Sequence, residues 1–288
     1  MKYIISVILI INTILLSAQD KDYTNDKDFV GRWDLGLNFG AYLPSKYHAK
    51  FYDGREENVN KISYVFSNKY WYEDIKRELN ASDTVFVREL PTNMRYNAAF
   101  QVGIYLRRTF DNYIGFSLQF DYSKLTAADV YTLEVDPNYI GSEPDIRIYN
   151  IWGVEERINI DLLFSKYFKT KNPIIIPFFE GGLNITSTEV KEHKIKVENL
   201  EYSLVNTYIN GSYVPGAPQN SYEIYQGGMG VGFSVAAGIK FQLSQQFSFD
   251  PGIRLYYQKI KLEGYDVMKP AFSIFFRLSL ADFFSSYE

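Results

Sequence analysis

Cysteine is absent from the 288 residues, and histidine occurs only twice. The first absence excludes a disulfide framework, a Cys-rich zinc site and a lipid-modified N-terminal cysteine. The second leaves little for metal binding or imidazole catalysis, and neither H-E-x-x-H nor an EF-hand spacing occurs. Basic clusters are missing as well. Lys and Arg number 30 against 34 Asp and Glu, a formal charge of −4, which argues against nucleic acid as a partner. Beyond the N-terminal segment no apolar run approaches the roughly 20 residues that a membrane-crossing helix needs. The glycine run GGMGVG lacks the Gly-Lys-Ser/Thr ending of a phosphate loop and leads into a strand pattern, so no cofactor is expected.

What is present begins with MKYIISVILIINTILLSAQD. Lys2 supplies a short positive region, Ile4 to Leu16 an apolar core, and Leu16-Ser17-Ala18 a cleavage site before Gln19. That core, of about 13 residues, is short for a helical anchor, so residues 1–18 are read as a signal peptide and the chain as exported. Aromatic residues reach 17%, with 25 Tyr and 22 Phe, an excess that suits aromatic girdles at two membrane interfaces.

After a polar leader over 19–31 the dominant pattern is alternation. In GVGFSVAAGIKFQL, Val231, Phe233, Val235, Ala237, Ile239, Phe241 and Leu243 share one face. Gly232, Ser234, Ala236, Gly238, Lys240 and Gln242 share the other. Successive side chains of a strand point to opposite faces. The second row is mostly Gly, Ser and Ala, which suits a crowded interior better than open solvent. Eight segments alternate in this way: 33–43, 95–107, 114–123, 157–165, 173–185, 230–243, 247–258 and 271–280. Each is close to the 9–11 residues with which a tilted strand crosses hydrocarbon. Short connections, such as RTFDN, KTKN and SQQ, alternate with long ones over 44–93, 126–146 and 186–228 and a shorter one over 263–269. Pro177 and Pro251 remove ladder donors, so each is expected at a bulge or a strand boundary.

With this rhythm the chain resembles the small Gram-negative outer-membrane β-barrels of the OmpA/OmpX-like class, over 32–280, with a C-terminal tail at 281–288. The resemblance implies an all-β fold: an eight-stranded antiparallel up-and-down transmembrane barrel with long extracellular loops. It also implies a location in the outer membrane, monomeric insertion and a lumen filled by side chains. Ten strands remain open, because 186–228 is long enough to hold two more. Phe283 or Phe284 stands in for the aromatic residue that often closes such barrels.

Counting faces predicts a polar lumen network of Asp34, Arg95, Arg107, Asp121, Arg157, Asp161, Glu180, Lys240, Asp250, Arg254 and Arg277. The signs nearly balance, and charges confined in an interior must pair. Two readings stand: an ion path, or an ion-paired plug. The first long loop places Val59, Ile62, Phe66, Trp71, Ile75 and Leu79 near helical spacing. A helix broken near Asn68, capping the mouth or lying on the outer leaflet, is expected there. Tyr70, Trp71 and Tyr72 form an aromatic cluster that either binds a partner or packs the loop onto the rim. His48 follows Ser45 and His193 follows Glu192, both in long loops, which keeps a lipid-modifying enzyme or protease as a rival. The main expectation is a non-catalytic barrel whose loops bind a partner protein, a glycan or lipopolysaccharide. A subunit of a secretion or transport complex is a third reading.

Overall fold

The computed structural model describes residues 32–110, 113–136, 143–172, 174–205, 226–244 and 246–281. The signal peptide, the leader and both candidate closing phenylalanines lie outside the described residues. The chain runs β1 (Trp33–Leu43), α1 (Lys46–Ala49), a 3-10 turn (Lys50–Tyr52), α2 (Ser63–Phe66) and α3 (Lys69–Leu79). It continues through β2 (Val85–Glu89), β3 (Arg95–Tyr96), β4 (Ala99–Thr109), β5 (Ile114–Val135) and β6 (Asp145–Tyr167). The remainder is β7 (Ile175–Val197), β8 (Leu200–Ser203), β9 (Gly227–Gln242), β10 (Phe247–Lys259) and β11 (Met268–Ala281).

Eight of these strands close a ring in the order β1-β4-β5-β6-β7-β9-β10-β11, every pair antiparallel. The seam is shut because β1 pairs on both sides: Leu37 faces Ile104 of β4 and Leu278 of β11. β7 pairs directly with β9, so the stretch between them supplies no further strand to the ring. Its one described strand, β8, pairs back onto the top of β7. Closure leaves no ladder edge in hydrocarbon, which is what a spanning sheet requires. The outward row is apolar, with Leu37, Phe100, Ile104, Phe164, Phe233 and Ile253 all exposed. On the β6–β7–β9 side this belt ends where Lys191 meets Glu156 at 3.5 Å and Glu189 at 2.5 Å.

Strand lengths are uneven. β1 and β4 have 11 residues each, whereas β5 has 22 and β6 and β7 have 23. The three long strands continue past the belt as a wall, so most of 126–146 and the first part of 186–228, expected as loops, are strand. The first loop folds against the inner face of this wall. Phe51, Ile62, Val65, Ile75 and Leu79 from the loop share one buried cluster with Leu125, Tyr131, Leu133, Ile151 and Ile195 from the wall. Each such burial contributes on the order of 2 kcal/mol, so the loop is a packed cap. The expected break near Asn68 is a cap residue in the literal sense: its side chain accepts from the amides of Tyr70 and Trp71 at 3.1 and 3.3 Å. α3 ends at Asn80 in the left-handed conformation, φ 53.

Two irregularities decide which side chains face inward. Tyr96 faces Ala127, but Gln101 faces Ser123, a one-residue slip between β3 and β4. A slip of one exchanges the two faces. Arg95 is therefore exposed, not in the lumen, and Tyr96 points inward. In β7, Val154 faces Glu192 while Glu155 faces Val190, so Lys191 is the extra residue of a bulge, and His193 turns inward because of it. Pro177 lies near the start of β7. Pro251 marks neither bulge nor boundary: Phe249 faces Phe241 and Gly252 faces Gly238, so the ladder opens around the proline without changing register.

Candidate functional site

The inward row of the ring builds a column of charge. At the end of the ring that carries the short turns Asp34 accepts from Arg32 Nε at 2.9 Å and from Arg107, with Lys240 Nζ at 3.6 Å. The Arg107 guanidinium lies 4.5 Å over the Tyr167 ring. At mid-height Glu180 accepts two bonds from Arg277 at 3.0 Å each, one from Arg254 at 3.2 Å and one from the Tyr105 hydroxyl at 3.1 Å. Arg254 also donates to Asp161 at 2.9 Å and lies 3.6 Å from Asp121. Asp161 is completed by Asn184 and Ser234, each donating at 2.9 Å. Asp250 is fully buried opposite Arg277 in the ladder, and its oxygens make no hydrogen bond among the described residues. Ten of the eleven expected lumen residues are thus buried inside the ring; Arg95 is the exception.

Nearer the mouth Arg157 pairs with Glu155 at 2.5 Å. Glu155 also accepts from the hydroxyls of Tyr52 at 2.6 Å and Tyr96 at 3.0 Å. Tyr52 comes from the first loop, so the cap reaches down into the polar column. Its ring occupies the space that a side chain at position 153 would fill, which makes Gly153 its seat. Burial first, then the Glu155 carboxylate, push the Tyr52 phenol well above its ordinary range, so it remains a donor. Neither Glu155 nor Tyr52 stands out in the sequence. Glu155 is on the lumen side only if the alternation of 157–165 is carried upward two residues.

The surface aromatics separate. Tyr70 is 65% exposed on the first turn of α3. Trp71 packs on Tyr202 with centroids 5.5 Å apart, and the Tyr72 hydroxyl accepts from the Val85 amide at 2.9 Å. The histidines are both buried. His48 Nε2 donates to the Val267 carbonyl and His193 Nε2 to the Tyr52 carbonyl, each at 3.1 Å. Burial pushes His48 down to about 4, so its ring is neutral. Ser45 is engaged as the cap of α1, accepting from the Tyr47 amide at 3.4 Å, and Glu192 pairs with Lys194 at 3.3 Å.

A closed antiparallel ring with an apolar outer belt and an ion-paired interior defines a transmembrane β-barrel of the outer-membrane type, and the protein resides in the outer membrane. Similar solved structures include Neisserial surface protein A, at 8% identity over 87% of this chain and 96% of that one, with a TM-score of 0.44. Another is OprG from Pseudomonas aeruginosa, at 8% identity over 88% and 96%, TM-score 0.39. A third is Ail of Yersinia pestis in complex with the heparin analogue sucrose octasulfate, at 9% identity over 88% and 99%, TM-score 0.37. No family model matches the sequence, and no curated protein matches it significantly.

Proposed function

We propose that this barrel is a non-catalytic, non-conducting anchor whose folded first loop forms a rigid extracellular surface for recognition of a partner protein, a surface glycan or lipopolysaccharide. The observation that carries the reading is the cap. A loop that buries Ile75 and Leu79 and inserts Tyr52 into the lumen holds a fixed shape, and Tyr70 projects from it. A rigid aromatic on a preordered surface binds with little ordering cost. The paired column beneath leaves the barrel no work in transport. Turnover is not part of the reading, because the hydrogen bonds of His48, His193 and Ser45 and the ion pair of Glu192 with Lys194 are all directed to structure.

Purification from outer membranes in gentle detergent, with mass spectrometry of what co-elutes, tests recognition. A stoichiometric companion lost in Tyr70→Ala supports it; a barrel carrying only bulk lipid, unaltered by Tyr70→Ala, contradicts it. Replacing both histidines by Ala tests the enzymatic rival. The lipid A mass spectrum and surface proteolysis are expected to be unchanged.

A further inference from the structure

The chain's only two histidines hold the same piece of the molecule. His48, on α1, donates across to the Val267 carbonyl in the β10–β11 turn. His193, on the wall above the Lys191 bulge, donates to the Tyr52 carbonyl. These two ties hold 46–52, the part of the cap that enters the mouth and delivers Tyr52 to Glu155. A carbonyl only accepts, so both rings are Nε2–H tautomers, and both Nδ1 atoms are buried with no hydrogen-bond partner among the described residues.

A proton on either Nδ1 makes a buried imidazolium with nothing to receive it. The charged groups facing His48 are Arg157 from β6 and Lys269 from β11, both cations, and the Tyr47 ring stands edge-on at 5.6 Å. His193 meets the Tyr52 ring edge-on at 5.2 Å, and the hydroxyl of that ring is spent on the Glu155–Arg157 pair. We infer that His48 and His193 form an acid-sensitive clasp: their protonation frees 46–52 from the barrel mouth while the lipid-facing ring stays intact.

The sign follows from burial. An imidazole held below its unfolded value of about 6.5 stabilises the closed cap fully above that pH and progressively less below it. For His48 the loss runs down to about 4. Cap opening is therefore expected to rise up to about tenfold per pH unit for each histidine over this window.

Hydrogen exchange with mass spectrometry on the refolded full-length barrel, corrected for intrinsic rates, reads that opening between about pH 7 and 4.5. Peptides covering 46–66 are expected to lose protection steeply, and those from β4 and β10 are not. Glutamine keeps an N–H donor for the carbonyl but does not titrate. His48→Gln and His193→Gln should each flatten the dependence, and the double variant should abolish most of it. An undiminished slope in the double variant overturns the clasp. If glutamine opens the cap at neutral pH, nitrogen-15 histidine NMR of the unsubstituted protein decides. Rings that stay neutral until 46–66 loses protection support the clasp; a ring that titrates near 6.5, its unfolded value, under a protected cap overturns it.

Discussion

Glu180 and Gly153 show how much of this molecule depends on single positions. Glu180 is the common acceptor of Arg254, Arg277 and Tyr105. Its replacement by Ala leaves two buried guanidinium groups short of their shared counter-charge, and breaking such a pair costs about 3–5 kcal/mol. A urea midpoint measured in micelles by tryptophan fluorescence is expected to fall accordingly; an unchanged midpoint would mean that water already serves these cations. Gly153 carries no such charge, yet a methyl group there overlaps the Tyr52 ring. Gly153→Ala is expected to unseat the cap and spare the ring. The absence of native cysteine makes this readable: a thiol at Ile75, fully buried in the parent, should react with a maleimide only in the Gly153→Ala background. At this scale the sequence was informative about charge and silent about partners. Alternation placed Asp34, Arg107, Glu180 and Arg277 in the lumen, because in the belt one face meets lipid and the other cannot. Nothing in the order of residues says that Tyr52, a loop residue, belongs to Glu155.

The elements divide along the same line. Where lipid bounds the sheet, segments such as 33–43 and 247–258 were legible nearly to the residue, since only one assignment of faces keeps charge out of hydrocarbon. Above the belt the rule lapses. The wall has apolar residues inside, as at Tyr131 and Leu133, and outside, as at Val130 and Ile148. With both rows mixed, β5, β6 and β7 read as loop beyond the belt. Irregular pairing has no composition signal either: Arg95 was assigned inward because a strict period was carried across the slip between β3 and β4. The bulge at Lys191 makes the corresponding experiment. Deleting Lys191 removes the extra residue and leaves Val190, Glu192 and His193 alternating inward, outward and inward, so His193 keeps its place opposite Gly153. The variant should still insert, keep its heat-modifiable gel mobility and retain exchange protection across 46–66. A drop in protection would show that the cap needs the bulge itself and not only the inward position of His193.

At the scale of the whole molecule a membrane barrel carries a small folded domain made from its own first loop and three overlong strands. The two halves obey different solvents. Below, apolar residues face out and paired charges face in; above, the apolar cluster of the cap lies inside and ion pairs such as Lys259–Asp266, at 3.0 Å, face water. In the proposed reading the paired column and the seated cap together close the barrel axis. Single-channel recording in a planar bilayer tests that claim most directly. At neutral pH the full-length protein is expected to insert without conductance steps, and Gly153→Ala to remain silent too, because the Glu180–Arg254–Arg277 column still fills the lumen beneath the cap. Regular, ion-selective steps from the unsubstituted barrel would contradict the account and return the lumen charges to the role of an ion path.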